Sequence, residues 1–333
     1  MPRLTVLIAT CNRARALRET LEAMTRVDRS GLEVEWVVVD NNSTDDTAAV
    51  IHDFASRLPL KSLFVARPGK NCALNEAINT FPLGELVVFT DDDVTPDRGW
   101  LRAMAAAGAR WPRCSVFGGP IQLAFPEGEP PAWCRSRFVE DFAFCRHDHG
   151  PEERIYPPGR NPYGANLAVR RQVFERGLRY NEEVGPRPKD RKIGSETTFL
   201  ETLARHGYEM IYVPSAVIHH RISSDQCRFS YLRRRAYRFG KGRIHFGRFP
   251  NQRLLAFSRP LWRMRQGVRL VMASLTFLAS YLIVPPAWRA KVAVRAGIGV
   301  GLAVEGLRRW RPERLIEAAA SGPSQPPKRG AGG

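Results

Sequence analysis

The sequence predicts an α/β fold in which a mostly parallel central sheet is flanked by helices. Over the first 110 residues, strand-like apolar runs alternate with segments of helical periodicity, which is the pattern of βαβ units. Leu86–Phe89 is a continuous apolar run with β-branched residues, typical of a strand buried on both faces. Three predicted strands end in polar clusters, Thr10–Arg13, Asp40–Asn42 and Asp91–Asp93. Ligands of open α/β sheets bind beyond the carboxyl ends of strands, so these clusters predict a ligand crevice there.

The first elements follow from the same periodicities. Arg15 to Met24 carries apolar residues at helical spacing, and Ser43 or Thr44 can cap the second helix. The loop that starts at Pro68 opens a third helix. Connections between parallel strands are right-handed, so each helix packs back on the sheet. The four predicted strands are Leu4–Thr10, Val34–Val39, Leu60–Ala66 and Leu86–Phe89.

The middle of the chain is less regular. Pro126 to Tyr163 is rich in Pro, Gly, Arg and aromatic residues and has no clear period, so we predict a long, partly ordered excursion of the kind that often serves as a lid. Order returns near Gly164. A helix is predicted over Ser195–His206, with Ser195 as its cap and Gly207 as its stop. Two short strands follow, at Met210–Val213 and Ala216–His219.

Charge divides the chain into two parts. Residues 1–227 hold 29 Lys+Arg and 30 Asp+Glu, a net charge of −1, whereas residues 228–333 hold 22 and 3, a net charge of +19. We therefore predict a near-neutral domain over 1–227, a basic and apolar helical segment over 228–314, and a disordered Gly/Pro/Ser-rich tail over 315–333. A basic segment of this kind indicates an anionic partner, either nucleic acid or a membrane surface.

The apolar runs inside the basic segment favour a membrane surface. Leu270 to Trp288 has nineteen residues without a charge, close to the roughly 20 that span a bilayer. Pro285 and Pro286 argue against one straight span, and Arg295 interrupts a second apolar stretch over Val292–Val304. We predict a helical hairpin in the membrane interface, at the cytoplasmic face of the inner or plasma membrane. The alternative is a soluble helical subdomain packed on the sheet. The sequence leaves open whether Leu270–Trp288 spans the membrane, dips into it or lies on it.

The cysteines and the start of the chain both indicate a cytoplasmic protein. The six cysteines have no metal-ligand spacing, and a strand-like run already begins at Leu4, which leaves no room for a signal peptide. We expect reduced cysteines in a cytoplasmic protein.

The row Asp91–Asp93 predicts a metal. Three adjacent carboxylates repel one another unless a cation joins them, and hard oxygen ligands suit Mg²⁺ or Mn²⁺. The alternative is a solvated acidic turn before the helix that starts near Pro96.

Taken together, these motifs resemble the family 2 inverting glycosyltransferases that have a single nucleotide-diphospho-sugar-binding α/β domain. The resemblance covers about residues 3 to 225. It rests on the opening strand to Arg13, on Asp40, on Gly69–Asn75, on the Asp-x-Asp pair and on two loops, Gly164–Asn166 and Gly194–Glu196. Family members commonly have Glu-Asp where this chain has Ser195-Glu196, so only Glu196 carries over.

The resemblance implies a role for each matching residue. Asp93 would hold the metal, Asp91 would reach the ribose or a metal-bound water, and Glu196 would be the general base. One histidine, His220 rather than His219, would join the metal or the diphosphate. The nucleotide and acceptor contacts implied are Thr10, Asn12, Arg13, Asp40, Lys70, Asn75 and Asn166.

Each role has a simpler structural alternative. Glu196 can stabilise the first turn of its helix, worth under about 1 kcal/mol, and Asp40 or Asn166 can cap a turn. Lys70 can be an ordinary exposed lysine, although its loop-to-helix junction suits phosphate. Trp133 lies in the irregular excursion and is a better candidate for stacking on an acceptor than Trp100 or Trp111, whose helical positions are more typical of the core.

The predicted activity is metal-dependent, inverting transfer of a sugar from a nucleotide diphosphate sugar to a glycan or lipid-linked hydroxyl. A nucleotidyltransferase would share the sheet and carboxylates, but its Gly-rich loop after the first strand is missing at Thr10–Arg13. A nucleic-acid-binding protein is disfavoured because the charge coincides with apolar runs rather than with a nucleic-acid module. The sequence leaves the donor, the acceptor and the oligomeric state open.

Overall fold

The computed structural model describes residues 1–126, 130–187, 192–243 and 286–309, together with positions 268, 272 and 275. Its strands are β1 (Arg3–Thr10), β2 (Glu33–Asp40), β3 (Leu60–Phe64), β4 (Leu86–Thr90), β5 (Val94–Pro96), β6 (Cys114–Gly118), β7 (Ile121–Ala124), β8 (Arg154–Ile155), β9 (Leu167–Arg170), β10 (Glu209–Tyr212) and β11 (Ile218–Arg221). Its α-helices are α1 (Ala14–Met24), α2 (Thr47–Phe54), α3 (Lys70–Thr80), α4 (Trp100–Arg110), α5 (Arg137–Phe144), α6 (Arg171–Glu175), α7 (Ser195–Arg205), α8 (Phe229–Arg243) and α9 (Pro286–Arg309).

The described strands form one large and one small sheet. The large sheet has eight strands in the order β3-β2-β1-β4-β9-β6-β10-β8. Strands β3, β2, β1 and β4 are parallel, and β6 and β10 are parallel to each other. Strand β9 is antiparallel to both β4 and β6, so those six strands run in the same direction. The predicted mostly parallel sheet flanked by helices is therefore confirmed.

Side chains alternate between two apolar layers, one on each face of the sheet. Leu4, Val6 and Ile8 of β1 join one cluster with Trp36, while Leu7 faces the other. All of these residues are fully buried. Burial on both faces explains why the central strands are continuous apolar runs.

The small sheet brings distant residues to the carboxyl edge of β4. Its strand order is β5-β11-β7, and β5 begins immediately after the aspartate row. His220 in β11 pairs with Val94 in β5. This pairing joins a residue late in the chain to the end of the central strand.

The described part of the excursion Pro126–Tyr163 is more ordered than predicted. It contains α5, whose N-cap Ser136 accepts a hydrogen bond from the backbone N–H of Val139 at 3.4 Å. The helix ends at Cys145, which has a left-handed φ of 60°. A helix of eight residues among prolines and arginines is too short to leave a clear period in the sequence.

Helix α8 packs on the part of the chain that precedes it. Leu232 and Ala236 share a buried cluster with Cys134 and Phe144, and α9 adds Val294 to that cluster. The predicted boundary at 227 therefore lies inside one packed region. No helix of the described residues is both long and apolar enough to cross a membrane.

The two C-terminal predictions differ in how much of them the structure covers. The stretch Val292–Val304 lies within α9. Residues 270–285 lie outside the described residues except for Met272 and Leu275, which are helical, and the predicted tail 315–333 lies outside them altogether.

Candidate active site

The aspartate row lies at the carboxyl edge of the sheet, directly after β4. Asp92 and Asp93 are buried, and the hydroxyl of Thr10, at the end of β1, donates to Asp92 Oδ2 at 2.7 Å. Arg13 lies between the two carboxylates, with Nη1 3.1 Å from Asp92 Oδ1 and Nη2 2.8 Å from Asp93 Oδ2. Burial raises the pKa of Asp92 above its ordinary value. The arginine therefore compensates carboxylates whose charge the buried environment would otherwise disfavour.

Asp93 and His220 form the second half of this cluster. His220 Nε2 lies 3.4 Å from Asp93 Oδ1, and His220 Nδ1 donates to the carbonyl of Phe144 at 2.8 Å. Burial by itself raises the pKa of Asp93, but His220 and Arg13 outweigh it and hold the pKa below its usual value. Burial likewise lowers the pKa of His220, and Asp93 and the Phe144 carbonyl reverse that effect. His219, on the other face of β11, contacts Asp97 at 2.9 Å instead.

Lys70 connects Asp91 to Glu196 across the crevice. Its Nζ lies 2.5 Å from Asp91 Oδ1 and 3.3 Å from Glu196 Oε1. Burial alone would lower the pKa of Lys70, but the two carboxylates raise it above its ordinary value. Lys70 is thus not the solvated lysine of the structural alternative, and its charged ammonium sits between the first aspartate and the candidate base.

Glu196 lies in the first turn of α7. Gly194, which precedes the helix, has a φ of 129°, a conformation that favours glycine. A Cβ on Gly164 would lie 2.3 Å from Glu196 Cγ, so this glycine lets the acidic side chain pack closely. The prediction that Ser195 caps the helix is wrong, because its hydroxyl donates to Asn71 Oδ1 and the N-cap is Gly194.

Asn12 and Asp40 organise the turn that follows β2. The side chain of Asn12, at a φ of 53°, accepts from the backbone N–H of Thr44 at 2.7 Å. Asp40 is buried and accepts from the backbone N–H of Ser43 at 2.9 Å. Both residues lie at the same sheet edge as Arg13.

Asn75, Asn166 and Trp133 are engaged elsewhere in the fold. Asn75 exchanges hydrogen bonds with the backbone of Tyr180 at 2.9 and 3.0 Å. Asn166 is fully buried; its amide donates to the carbonyls of Pro120 and Ala216 and accepts from Trp100. Trp133 packs edge-on against Phe229 of α8. Each of these side chains therefore supports the walls of the site in this structure.

Three further residues, Asn41, Arg221 and Arg235, contribute to the site without an obvious signal in the sequence. Asn41 holds the turn before α3, donating to Arg67 O at 2.9 Å and accepting from Gly69 N at 2.7 Å. Arg221 donates to the backbone carbonyls of Ala16 and Val94. Arg235 of α8 donates to Cys145 Sγ at 2.9 Å. The helical spacing of Leu232 and Ala236 could have placed Arg235 on the buried face of its helix.

The chemistry of the cluster fits a divalent cation bound together with a phosphate ligand. Within the described part of the chain, no three His, Cys, Asp or Glu side chains are grouped to hold a metal by themselves. Asp93 Oδ1, however, is buried without a hydrogen-bond partner and faces His220 Nε2. Metal-binding histidines characteristically donate their other ring N–H to a carbonyl, as His220 does to Phe144. Mg²⁺ and similar ions often use one or two carboxylates and take the remaining ligands from substrate phosphate and water.

The comparison with known families agrees with this geometry. The model of the family "Glycosyl transferase family 2" matches residues 5–178, more than half of the chain, from β1 into the loop after α6. The chain belongs to glycosyl transferase family 2. It is therefore an enzyme of the glycosyltransferase class, and its chemistry is sugar transfer.

Among relatives of this family 2 glycosyltransferase, AglE of Haloferax volcanii, a glycosyltransferase, is 22% identical over 89% of this chain and 95% of its own length. The probable glycosyltransferase YdaM of Bacillus subtilis is 21% identical and covers 65% of this chain and 50% of its own. A solved structure of the mannosyltransferase PcManGT from Pyrobaculum calidifontis, in complex with GDP-Man and Mn²⁺, has a TM-score of 0.51 and 23% identity; the match covers 96% of this chain and 79% of that one. That structure agrees in fold.

Proposed function

We propose that this glycosyltransferase catalyses metal-dependent, inverting transfer of a sugar from a nucleotide diphosphate sugar to a hydroxyl of a glycan or lipid-linked acceptor. The observation that carries the proposal is that two pairs of charged side chains lie together at one edge of the sheet. Asp93 with His220 and Asp91 with Glu196 lie at the end of β4, and Lys70 contacts both carboxylates of the second pair. The first pair suits a cation and diphosphate, and the second suits an acceptor.

The donor would lie along the ends of β1, β2 and β4. Asp40 and Asn12 would contact the nucleoside side, and Thr10 would contribute through the Asp92 carboxylate that it holds. Arg13 and Lys70 would meet the diphosphate, because both cations already lie beside carboxylates at the crevice. The GDP-Man complex of the mannosyltransferase PcManGT supports a nucleotide sugar as donor.

Asp93 and His220 would hold the metal, with Asp91 joining them when Lys70 releases it. Asp93 Oδ1 supports this assignment, because it is buried without a hydrogen-bond partner and lies 3.4 Å from His220 Nε2. A bound Mn²⁺ or Mg²⁺ would stabilise the negative charge that develops on the leaving diphosphate. The Mn²⁺ in the complex of PcManGT supports the same class of ion.

Glu196 would take the proton from the acceptor hydroxyl. Inversion in a single displacement needs one base on the face of the sugar opposite the leaving group. Glu196 is held by Lys70, which lies 3.3 Å from it and also contacts Asp91, and by the close approach of Gly164. Lys70 thereby links the nucleotide side to the base.

The acceptor would be presented at the cytoplasmic face of the membrane. The net charge of +19 over 228–333 supports adsorption to an anionic leaflet. Val268, Met272 and Leu275 are each more than half exposed, as is Trp288 in α9. Exposed apolar side chains beside many arginines are typical of interfacial helices.

A panel of nucleotide sugars tests the proposed reaction. We expect one of them to release nucleoside diphosphate in a manner that depends on Mn²⁺ or Mg²⁺ and is abolished by a chelator. Product made on a membrane-extract acceptor should carry the anomeric configuration opposite to that of the donor, read by NMR coupling constants. Retention of configuration would contradict inversion, and turnover unaffected by the chelator would contradict the metal.

A further inference from the structure

The loop that carries Glu196 is attached to the C-terminal helices as well as to the sheet. Lys192 Nζ lies 3.6 Å from Glu305 Oε1 in α9, and only 12% and 2% of these two side chains are exposed. Lys192 lies four residues before Glu196 in the chain. The buried ion pair therefore joins the approach to the candidate base to a helix more than 100 residues later.

Backbone contacts reinforce this attachment. The N–H of Ile193 donates to the carbonyl of Arg238 in α8 at 3.3 Å. A Cβ on Gly242 would lie 1.7 Å from the carbonyl oxygen of Ile193, so the last turn of α8 packs directly on the loop backbone. The segment before Glu196 thus rests on α8 and is linked by Lys192 to α9.

The position of Glu305 is fixed by close packing of the two helices. A Cβ on Gly240 would lie 2.2 Å from the carbonyl oxygen of Ile298, and a Cβ on Gly301 would lie 2.0 Å from that of Tyr237. Glycines at these crossings allow the backbones to approach closely, so the spacing of α8 and α9 is set by backbone contact rather than by flexible side chains. Glu305 lies one turn beyond Gly301 and is buried.

The other end of the loop reaches Lys70. The backbone N–H of Gly185 donates to Lys192 O at 3.0 Å, and the backbone N–H of Lys70 donates to the carbonyl of Pro186 at 3.2 Å. The two charged residues that meet in the crevice, Lys70 and Glu196, therefore share one loop support. A displacement of Lys192 would therefore move both Lys70 and Glu196.

We propose that the Lys192–Glu305 ion pair is a positioning device that holds the Glu196 loop at its working distance from the bound sugar. The inference rests on the proposed role of Glu196 as the base. Lys192 and Glu305 act through the loop and touch neither donor nor acceptor. The C-terminal helices are, on this view, part of the catalytic unit and not only a means of reaching a surface.

The test uses the full chain with Glu305→Gln, which keeps the side-chain shape and removes the charge. With the most active nucleotide sugar of the panel and water as acceptor, we expect diphosphate release to slow by about 10- to 100-fold, as for a base displaced by a fraction of an ångström to about 1 Å. Calorimetric donor affinity should stay within about twofold, because the donor contacts are unchanged. Amide exchange over 193–197 should become faster. Arg295→Gln, an exposed charge removed from the same helix, is the matched control.

A second variant covers the case in which a lone buried Lys192 prevents folding. Lys192→Met with Glu305→Leu removes both charges, a change that buried ion pairs often tolerate. Slow turnover with intact donor affinity in this variant supports positioning. Wild-type turnover in the double variant overturns the positioning role. An equal loss of donor affinity and turnover in Glu305→Gln also overturns it, because such a loss indicates a merely structural role. Glu196→Gln, measured alongside, separates the positioning role of the ion pair from the role of Glu196 as the base. Normal turnover in Glu196→Gln refutes the role of Glu196.

Discussion

The chemistry of the site depends on which side-chain atoms remain available to a ligand. Asp93 Oδ2 is committed to Arg13, whereas Oδ1 faces only the imidazole of His220. Asp92 is held by Thr10 and Arg13, so its carboxylate is used within the protein. Of the three adjacent acids, Asp93 is therefore the one with a buried oxygen that has no hydrogen-bond partner and contacts only His220, which could share a cation with it.

We predict that Asp93→Asn abolishes Mn²⁺-dependent binding of the nucleotide diphosphate. The amide keeps the shape of the side chain but removes the charge that holds a divalent ion. Calorimetry with the nucleotide, with and without Mn²⁺, measures the effect. Asp97→Asn, which alters the exposed partner of His219, is the control. Unchanged metal-dependent binding in Asp93→Asn would remove this residue from the metal site.

A buried histidine outside the cluster gives a prediction about pH. His147 is buried, its Nε2 contacts the Tyr156 hydroxyl at 2.7 Å, and burial lowers its pKa from 6.5 to about 3. The unfolded chain takes up a proton here below about pH 6.5, whereas the folded chain does not until about pH 3. Stability from the neutral ring is therefore present above pH 6.5 and is lost as the pH falls through that window.

The expected slope from this single group approaches about 1.4 kcal/mol per pH unit well below its unfolded pKa. Denaturant unfolding between about pH 6.5 and pH 4 measures it. His147→Gln should flatten the dependence, and His52→Gln, at an exposed position in α2, should not. An equally steep dependence in His147→Gln would show that other groups control acid unfolding.

Some site residues could be predicted from the sequence because a strand end or helix start fixes where they lie. Asp93, Lys70 and Glu196 are of this kind. The role of an amide or guanidinium side chain could not be predicted in this way, because its partners are carbonyls from distant segments that no local pattern reveals. Asn166 bonds Pro120 and Ala216, and Arg221 bonds Ala16. Only the assembled fold identifies them as supports.

Among the secondary-structure elements, α8 and α9 cross with their backbones in close contact. An alanine at position 301 would place its Cβ 2.0 Å from the carbonyl oxygen of Tyr237 and 2.9 Å from the backbone nitrogen of Lys241. Neither backbone atom can move without shifting a helix. The crossing therefore requires glycine at this position.

We predict that Gly301→Ala lowers the free energy of unfolding by about 1–3 kcal/mol, the usual cost of overpacking. The intrinsic helix preference of alanine, roughly 1 kcal/mol, offsets part of the strain. Gly99→Ala is the matched control, because its Cβ would have no neighbour within 4 Å. Thermal unfolding of the two variants measures the difference, and equal midpoints would show that the helices can separate at little cost.

The predictability of an element depended on its length and burial. Strands β1, β2 and β4 are long or fully buried, and the apolar runs predicted them to within one residue at each end. The antiparallel insertion of β9 between β4 and β6 could not be predicted, since the direction of a strand is set by its connections rather than by its own residues. The eight-residue α5 was missed for lack of a full period.

For the whole molecule, the main asymmetry is electrostatic. The first 227 residues are almost neutral, and the excess positive charge lies in the remainder. Each Lys or Arg near an anionic leaflet contributes about 1 kcal/mol, and salt screens this attraction over about 10 Å at 0.1 M. Burial of apolar side chains adds roughly 25 cal/mol per Å² and is not screened. The two contributions can therefore be separated by salt.

We predict that the full chain sediments with vesicles containing anionic lipid and resists a high-salt wash. Replacing Val268, Met272, Leu275 and Trp288 with serine should make the binding sensitive to salt, because these exposed side chains supply the apolar contribution. Neutral vesicles are the control for the charge contribution. A chain that stays in the supernatant with anionic vesicles at low salt would contradict membrane association.

The most direct test of the whole proposal is the turnover of Glu196→Gln. If Glu196 takes the acceptor proton, the amide should lower turnover by about 10²–10⁴-fold and leave calorimetric donor affinity within about twofold. Glu175→Gln, at an exposed position in α6, should retain both. Near-normal turnover in Glu196→Gln would contradict the assignment of the base. The search would then move to Glu201, to Glu183 and to Asp190, which lies outside the described residues.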